Sequence, residues 1–355
     1  MSLTGIRTVM VLELRQRVRS TRWQVMLAIW GIVLTIVCGG LATLSSGFGT
    51  TLTEVTPMLY DLVVCFVLGI GLIVAPTLSA TSINSDRADA TLALLQATAL
   101  RPVEIAVGKL AAAWAAATTF LGVALPFLLV LTLLRGASWA AFLAHLLILV
   151  VSLGAVCAVG LGFSAVCART SSSAVLTYLV VAALSIGSPL LMIISALAIT
   201  TPQTEIVYEI DDYSASPPTC TTTPTQTTHH VQRPDLVWWM LTPNPFVAVA
   251  DVSGRAPFPV DRSDPDDASA LSLLSGVGQF VDEIRTPEPS TVIINRCEDA
   301  DSVSASNEEW ENMDYLAFWP ASLLLLVALG AGGTAAASRR LRTPAGALPR
   351  GIRLA

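Results

Sequence analysis

The side chains best suited to chemistry are few in this sequence, and they are scattered. Its one lysine, Lys109, follows Gly108, but Leu110 stands where a phosphate-binding loop needs Ser or Thr, and Val103 where it needs its first glycine. That loop grips phosphate through glycine backbone N–H groups and a lysine, so the chain carries no ATP site of that kind. His229 and His230 adjoin in a Thr-rich stretch with no third ligand at a metal-binding spacing, and read as a solvated pair. His145 stands in an apolar run, where an imidazole is an interhelical hydrogen-bond partner before it is a proton relay. Cys38, Cys65, Cys157 and Cys167 lie in apolar runs and read as small buried thiols. Cys220 and Cys297 lie in polar sequence. A disulfide between them is expected if that region meets an oxidising compartment; it closes a loop of about 78 residues and contributes roughly 4 kcal/mol. The alternative is two unpaired thiols. Neither a catalytic constellation nor a metal site emerges.

The elements that must position these residues are membrane helices. Of 355 residues, 53% are apolar and 13% charged, about half the charge of a soluble domain. Six windows are free of Asp, Glu, Lys and Arg and long enough for the roughly 20 residues a spanning helix needs: 23–53, 62–85, 110–134, 136–168, 170–204 and 315–338. Helices are expected near 23–44, 60–81, 106–134, 139–168, 173–199 and 315–337. The fold class is therefore all-α integral membrane. A cleaved signal peptide does not fit the first apolar run, which is too long and is followed by five more. The windows Leu236–Ala250 and Ala268–Val281 are too short to span and read as interfacial or re-entrant helices.

The net charge of −6 averages two opposite regions. Residues 201–314 carry 20 acidic and 5 basic side chains; the rest of the chain carries 6 and 15. With six spans both termini share a side, and that side holds 14 basic residues against 6 on the other. The positive-inside rule places both termini in the cytoplasm and residues 201–314 outside. Trp139, Trp310 and Trp319 then fall at the outer interface and Trp23 at the inner one. The chain divides into 1–200 (first five spans), an acidic insertion 201–314 between spans five and six, and 315–355 (span six and a basic tail). The insertion begins as irregular or extended Thr- and Pro-rich chain over Thr201–Asp235.

Two cytoplasmic segments stand out. Leu3, Ile6, Met10, Leu14 and Val18 recur at helical spacing in a basic stretch, as an interfacial helix would have them; a plain topogenic tail is the bland alternative. After span two, Asn84, Ser85 or Asp86 can cap a short helix, with Ala88, Leu92 and Leu95 on one face, and Pro102 and Glu104 open the next helix. A capped connector satisfies that pattern, yet its leucines invite a partner. The spans, apart from His145, read as empty of ionisable groups, which argues against ion-coupled carriage.

These segments carry a resemblance. The run Glu13-Leu14-Arg15-Gln16-Arg17-Val18-Arg19-Ser20-Thr21-Arg22-Trp23, the segment from Ser85 through Leu95, and Leu100-Arg101-Pro102-Val103-Glu104-Ile105 to Gly108-Lys109-Leu110 make the chain similar to the permease subunit of ABC-2 type ATP-binding-cassette transporters. The resemblance covers about 240 residues and leaves out the long insertion. Ala90 replaces a usual glycine, and Arg101 a usual Ser or Thr cap. It implies an elbow helix on the inner leaflet bearing Glu13, Arg15, Arg17 and Arg19. It also implies a coupling helix within segment 84–104 that contacts an ATP-binding subunit through Asp86, Arg87, Asp89, Thr91, Leu92 and Leu95. By the same resemblance, ATP and Mg would sit on that partner and no cofactor on this chain. Two permease chains, identical or not, would assemble in the plasma membrane and export an apolar or amphipathic substrate, with spans one, two and five lining the path; Gly69, Gly71, Pro76, Gly187 and Pro189 would permit their movement. The chain would be no enzyme, and nucleic acid no partner. The rival is a membrane-anchored sensor or scaffold whose extracytoplasmic domain binds a ligand or partner.

Overall fold

A computed structural model describes residues 2–47, 52–88, 100–134, 137–212, 219–220, 223–255, 273–295 and 316–342. Helix α1 (Leu3–Val18) precedes α2 (Thr21–Gly47), α3 (Leu52–Ser79) and the short α4 (Ser82–Ala88). Then come α5 (Pro102–Leu133), α6 (Trp139–Val166) and a fifth span made of α7 (Thr170–Ala182), a π-turn (Ala183–Gly187) and α8 (Ser188–Ala198). Helices α9 (Pro245–Arg255), α10 (Leu273–Arg285) and α11 (Trp319–Arg340) follow the first strands. Among the described residues six helical stretches are long and apolar enough to cross a membrane, as the windows predicted.

Local chemistry sets the ends. Ser138 caps α6 by accepting the Ala141 N–H at 3.1 Å, and Pro102 occupies the first turn of α5, where no N–H is missed. The π-turn directly precedes Pro189, whose ring would collide with the carbonyl four residues back in a regular helix; the widened turn relieves that collision.

The described chain forms two compact units. The first comprises residues 1–185, 242–278 and 318–355. Its central element is the fourth span, 67% buried against 17% for the first. Leu68, Ala75, Ala117, Leu149 and Leu153 fill its core, beside an aromatic group of Trp23, Trp30, Phe66 and Phe120. Trp23 is buried edge-on against Phe120 at 5.3 Å. Trp139 stays 55% exposed, and Trp310 lies outside the described residues. Gly71 admits Leu153, and α6 meets α11 along a glycine seam. A Cβ on Gly162 would stand 2.9 Å from the Gly333 Cα, and one on Gly330 3.2 Å from the Ala155 Cα. In lipid, such close backbone approach replaces the hydrophobic drive for helix pairing.

The second unit comprises residues 186–241 and 279–317. Here β1 (Thr200–Tyr208) pairs antiparallel with β4 (Thr225–Gln232), from Thr200↔Gln232 to Val207↔Thr225. It pairs in parallel with β5 (Thr291–Asn295), from Thr204↔Thr291. The short β2 (Ile210–Asp212) and β3 (Thr219–Cys220) form a separate ladder. The Thr-rich stretch is thus extended, as expected, but also paired, because β-branched threonines suit a pleated surface. Arg233 clasps both oxygens of Asp235 at 2.7 Å, and that bond raises the guanidinium above its ordinary value. Arg285 lies 4.5 Å over the Trp238 ring. The expected single insertion therefore divides: Thr242–Gly278, with α9, belongs to the helical unit.

One expectation needs correction. The spanning helices are not empty of charge apart from His145. Helix α3 begins at Leu52 and so includes Asp61, and α5 begins at Pro102 and includes Glu104 and Lys109; all three are buried. At 1.5 Å per residue these helices exceed the roughly 30 Å hydrocarbon core, and the charges occupy turns near their ends, where other elements reach them.

Candidate functional site

The N-terminal helix and the segment after α3 converge on Lys109. Helix α1 packs against α5 because two glycines permit it: Gly108 lies under Val9, and Gly5 under Leu100. Glu13, two turns on, then reaches the Lys109 ammonium at 2.5 Å, and Asp86 of α4 reaches it from the other side at 2.6 Å. The Ser82 carbonyl accepts a third bond at 3.4 Å. The lysine side chain is wholly buried, while Glu13 and Asp86 are part-buried. An isolated ammonium would not survive there charged; it donates to Glu13 and the Ser82 carbonyl and forms an ion pair with Asp86. Arg17 stands 4.0 Å from Glu13 and balances the second carboxylate.

The bend between α3 and α4 is held by side chains from other helices. Turning at Ala80 and Thr81 leaves terminal carbonyls of α3 and first N–H groups of α4 without helical partners. Arg17 donates to the Leu78 carbonyl at 2.8 Å and Ser173 Oγ to the Ala80 carbonyl at 2.6 Å. Ser164 Oγ accepts the N–H groups of Ile83 and Asn84 at 3.0 and 3.1 Å. Arg87 donates to the Ala165 and Cys167 carbonyls at the C-terminal end of α6, and to Asn84 Oδ1. Glu104 accepts the N–H groups of Ser2 and Arg101 at 2.5 and 3.0 Å, tying both helix starts together. The connector thus leaves the bundle from a junction of α1, α4, α5, α6 and α7.

Of the residues expected in the elbow helix, Glu13 and Arg17 join this junction, while Arg15 and Arg19 are exposed. The bundle-facing stripe runs through Gly5, Val9, Glu13 and Arg17; of the apolar stripe, Leu3 and Val18 are exposed and only the middle is part-buried. Of the residues expected in the coupling helix, Asp86 and Arg87 hold the connector to the bundle. Asp89, Thr91, Leu92 and Leu95 lie outside the described residues, as does Cys297, together with the side chain of Cys220. The helix starts at Ser82, before the three caps considered, and Asn84 is buried inside it.

A second polar group joins the opposite ends of the spans. His145 Nε2 lies 3.1 Å from the Val249 carbonyl and 3.3 Å from Ser253 Oγ, both on α9. A carbonyl only accepts, so Nε2 carries the proton, and Nδ1 accepts from the Tyr60 hydroxyl of α3 at 3.0 Å. Asp251 accepts the N–H groups of Phe318 and Trp319 at 2.9 and 3.0 Å, capping α11, and pairs with Arg255 at 2.7 Å. Asp61 accepts the Leu274 N–H at 2.9 Å and caps α10. Both carboxylates lie at the positive end of a helix.

The sequence placed Lys109 outside a phosphate loop and within the run that carries the resemblance but gave it no partners, and it did not single out Ser164, Ser173, Asp61 or Asp251. A lone lysine opening an apolar span was the available signal. Among the described residues the junction holds no nucleophile poised beside a base. Compared with known proteins, residues 7–331 match a family model described as ABC-2 family transporter protein. No curated protein matches the chain.

Proposed function

Because the chain belongs to the ABC-2 family of transporters, as a membrane-spanning permease subunit, we propose that it forms the pathway of an exporter driven by a separate ATP-binding subunit. That partner, holding ATP and Mg, docks on the connector through Asp89, Thr91, Leu92 and Leu95. Two permease chains assemble in the plasma membrane with their termini in the cytoplasm, and move an apolar or amphipathic substrate outward. Cys220 and Cys297 form a disulfide in the extracytoplasmic insertion.

The observation that carries this reading is the Glu13–Lys109–Asp86 junction. It clamps the base of the connector to the elbow helix and to the third span, so a push on the connector is delivered to both rather than absorbed by a loose loop. Co-expression with an ATP-binding-cassette ATPase tests it. A one-to-one complex is expected, and Leu92→Asp with Leu95→Asp should abolish co-purification and substrate-stimulated hydrolysis at unchanged expression. Solute movement on an ion gradient without nucleotide overturns the reading. The paired strands of the second unit favour, as the alternative, an anchored sensor or scaffold; a permease that retains no ATPase in mild detergent is the result that would select it.

A further inference from the structure

Strand β4 is an outer strand of its sheet: β1 bonds to one edge of it, and among the described residues nothing bonds to the other. Alternate residues of that free edge turn an N–H and a carbonyl outward, as a template for a further strand. The side chains stand clear as well, seven of the eight residues being exposed. Folded sheets blunt such an edge with a short strand, a proline, a bulge or a charge. None of these devices is present in β4. It meets β1 in eight unbroken pairs and reads Thr-Gln-Thr-Thr-His-His-Val-Gln, without proline, lysine, arginine or carboxylate. The first charge beyond it, on Arg233, is already held by Asp235.

We infer that this edge pairs, antiparallel, with the same edge of a second copy of the chain. The inference rests on the two-chain assembly proposed above, which brings two such units together over one membrane. Charge selects the occupant. Residues 201–314 carry 20 acidic and 5 basic side chains, so two copies repel wherever their carboxylates meet, and β4 is a strip that carries none. A foreign partner drawn by that field would be basic and would settle on the carboxylates, not on an uncharged strand. Main-chain bonds supply the affinity. An axis at Thr228 sets that threonine opposite itself and Thr227 opposite His229, and threonine pairs are favourable across strands; an axis at His229 would set imidazole against imidazole. Because the contact is two-fold, it uses up the edge that forms it and closes at two chains.

Cysteine scanning of the full-length chain in its own membrane tests it. Strand residues advance about 3.3 Å each, so a residue one step from the axis lies about 6.6 Å along the strand from its own copy, and only the residue on the axis is within disulfide reach. Thr225→Cys, Thr227→Cys, Thr228→Cys, His229→Cys and Val231→Cys are introduced singly and oxidised, and chain dimers are read on a non-reducing gel with the unsubstituted chain as the blank. Yield should peak at Thr228 and fall to the blank at Thr225 and Val231. With differently tagged chains, Thr227→Cys in one should cross-link to His229→Cys in the other. A yield that is absent, uniform along β4 or highest at either end, from chains that still co-purify as a pair with an ATPase, overturns the inference and leaves the exporter standing. Cross-links to a protein other than this chain overturn it as well. A Thr228 peak in a chain that retains no ATPase upholds the pairing and removes the exporter reading.

Discussion

The two ends of the helical unit are held by different kinds of bond. Along α3, Tyr60 and Leu78, the latter next to the bend into Ser82, are roughly 27 Å apart at 1.5 Å per residue. At the Ser82 end a buried ammonium lies between carboxylates from two other elements, Glu13 and Asp86. At the Tyr60 end the His145 imidazole and two aspartates are bonded to backbone, holding α9 and capping α10 and α11. Charge-to-charge contacts between separate helices are costly to break, but they form again wherever the charges meet. Backbone caps hold one geometry only. The first end adds a buried ion pair between separate helices to its backbone caps, while the second relies on caps and a buried imidazole.

The sharpest way to break the contrast is Lys109→Met, which leaves the part-buried Glu13 and Asp86 carboxylates with only Arg17, 4.0 Å from Glu13, as counter-charge. It should cost about 3–5 kcal/mol, seen as a collapse of the thermal midpoint in detergent. The triple change Glu13→Gln, Lys109→Met, Asp86→Asn should recover most of that stability while uncoupling hydrolysis from transport. Next, Asp251→Ala removes the cap of α11 and strands Arg255; a loss of about 2–3 kcal/mol is expected, and the N–H groups of Phe318 and Trp319 should lose hydrogen-exchange protection. Tyr60→Phe deletes one hydrogen bond to a neutral ring and should cost about 1 kcal/mol, with transport unchanged. The smallest effect belongs to Arg15→Ala, on an exposed face outside both groups, which should stay within about 0.5 kcal/mol of wild type.

This ordering mirrors what could be read before the fold was known. Spans were legible because the cost of charge in hydrocarbon writes itself into sequence as long clean windows, and the Pro102 start of α5 because capping is local. Ser138 is local too. The junction was half legible. Glu13 and Asp86 were singled out through a resemblance, but the lysine that unites them is 96 residues from one and invisible to any helical period. The Asp61 cap on Leu274 crosses 213 residues. Such pairs depend on where elements end in space, and nothing in the local pattern of Asp61 distinguishes a cap from a solvated acid. The sheet escaped for a related reason: threonine-rich chain is equally at home extended alone or extended in a ladder, and the choice lies with the strand it meets, Thr291–Asn295.

Lys109 also gives the molecule an unusual reactivity. It is the sole lysine of the chain, and its side chain has no contact with solvent. Acylating reagents, amine-directed cross-linkers and enzymes that build isopeptide bonds on lysine therefore find no ε-amine on the folded surface. Whatever modification does arrive at position 109 becomes a clock for how often the elbow, the connector and the third span part company.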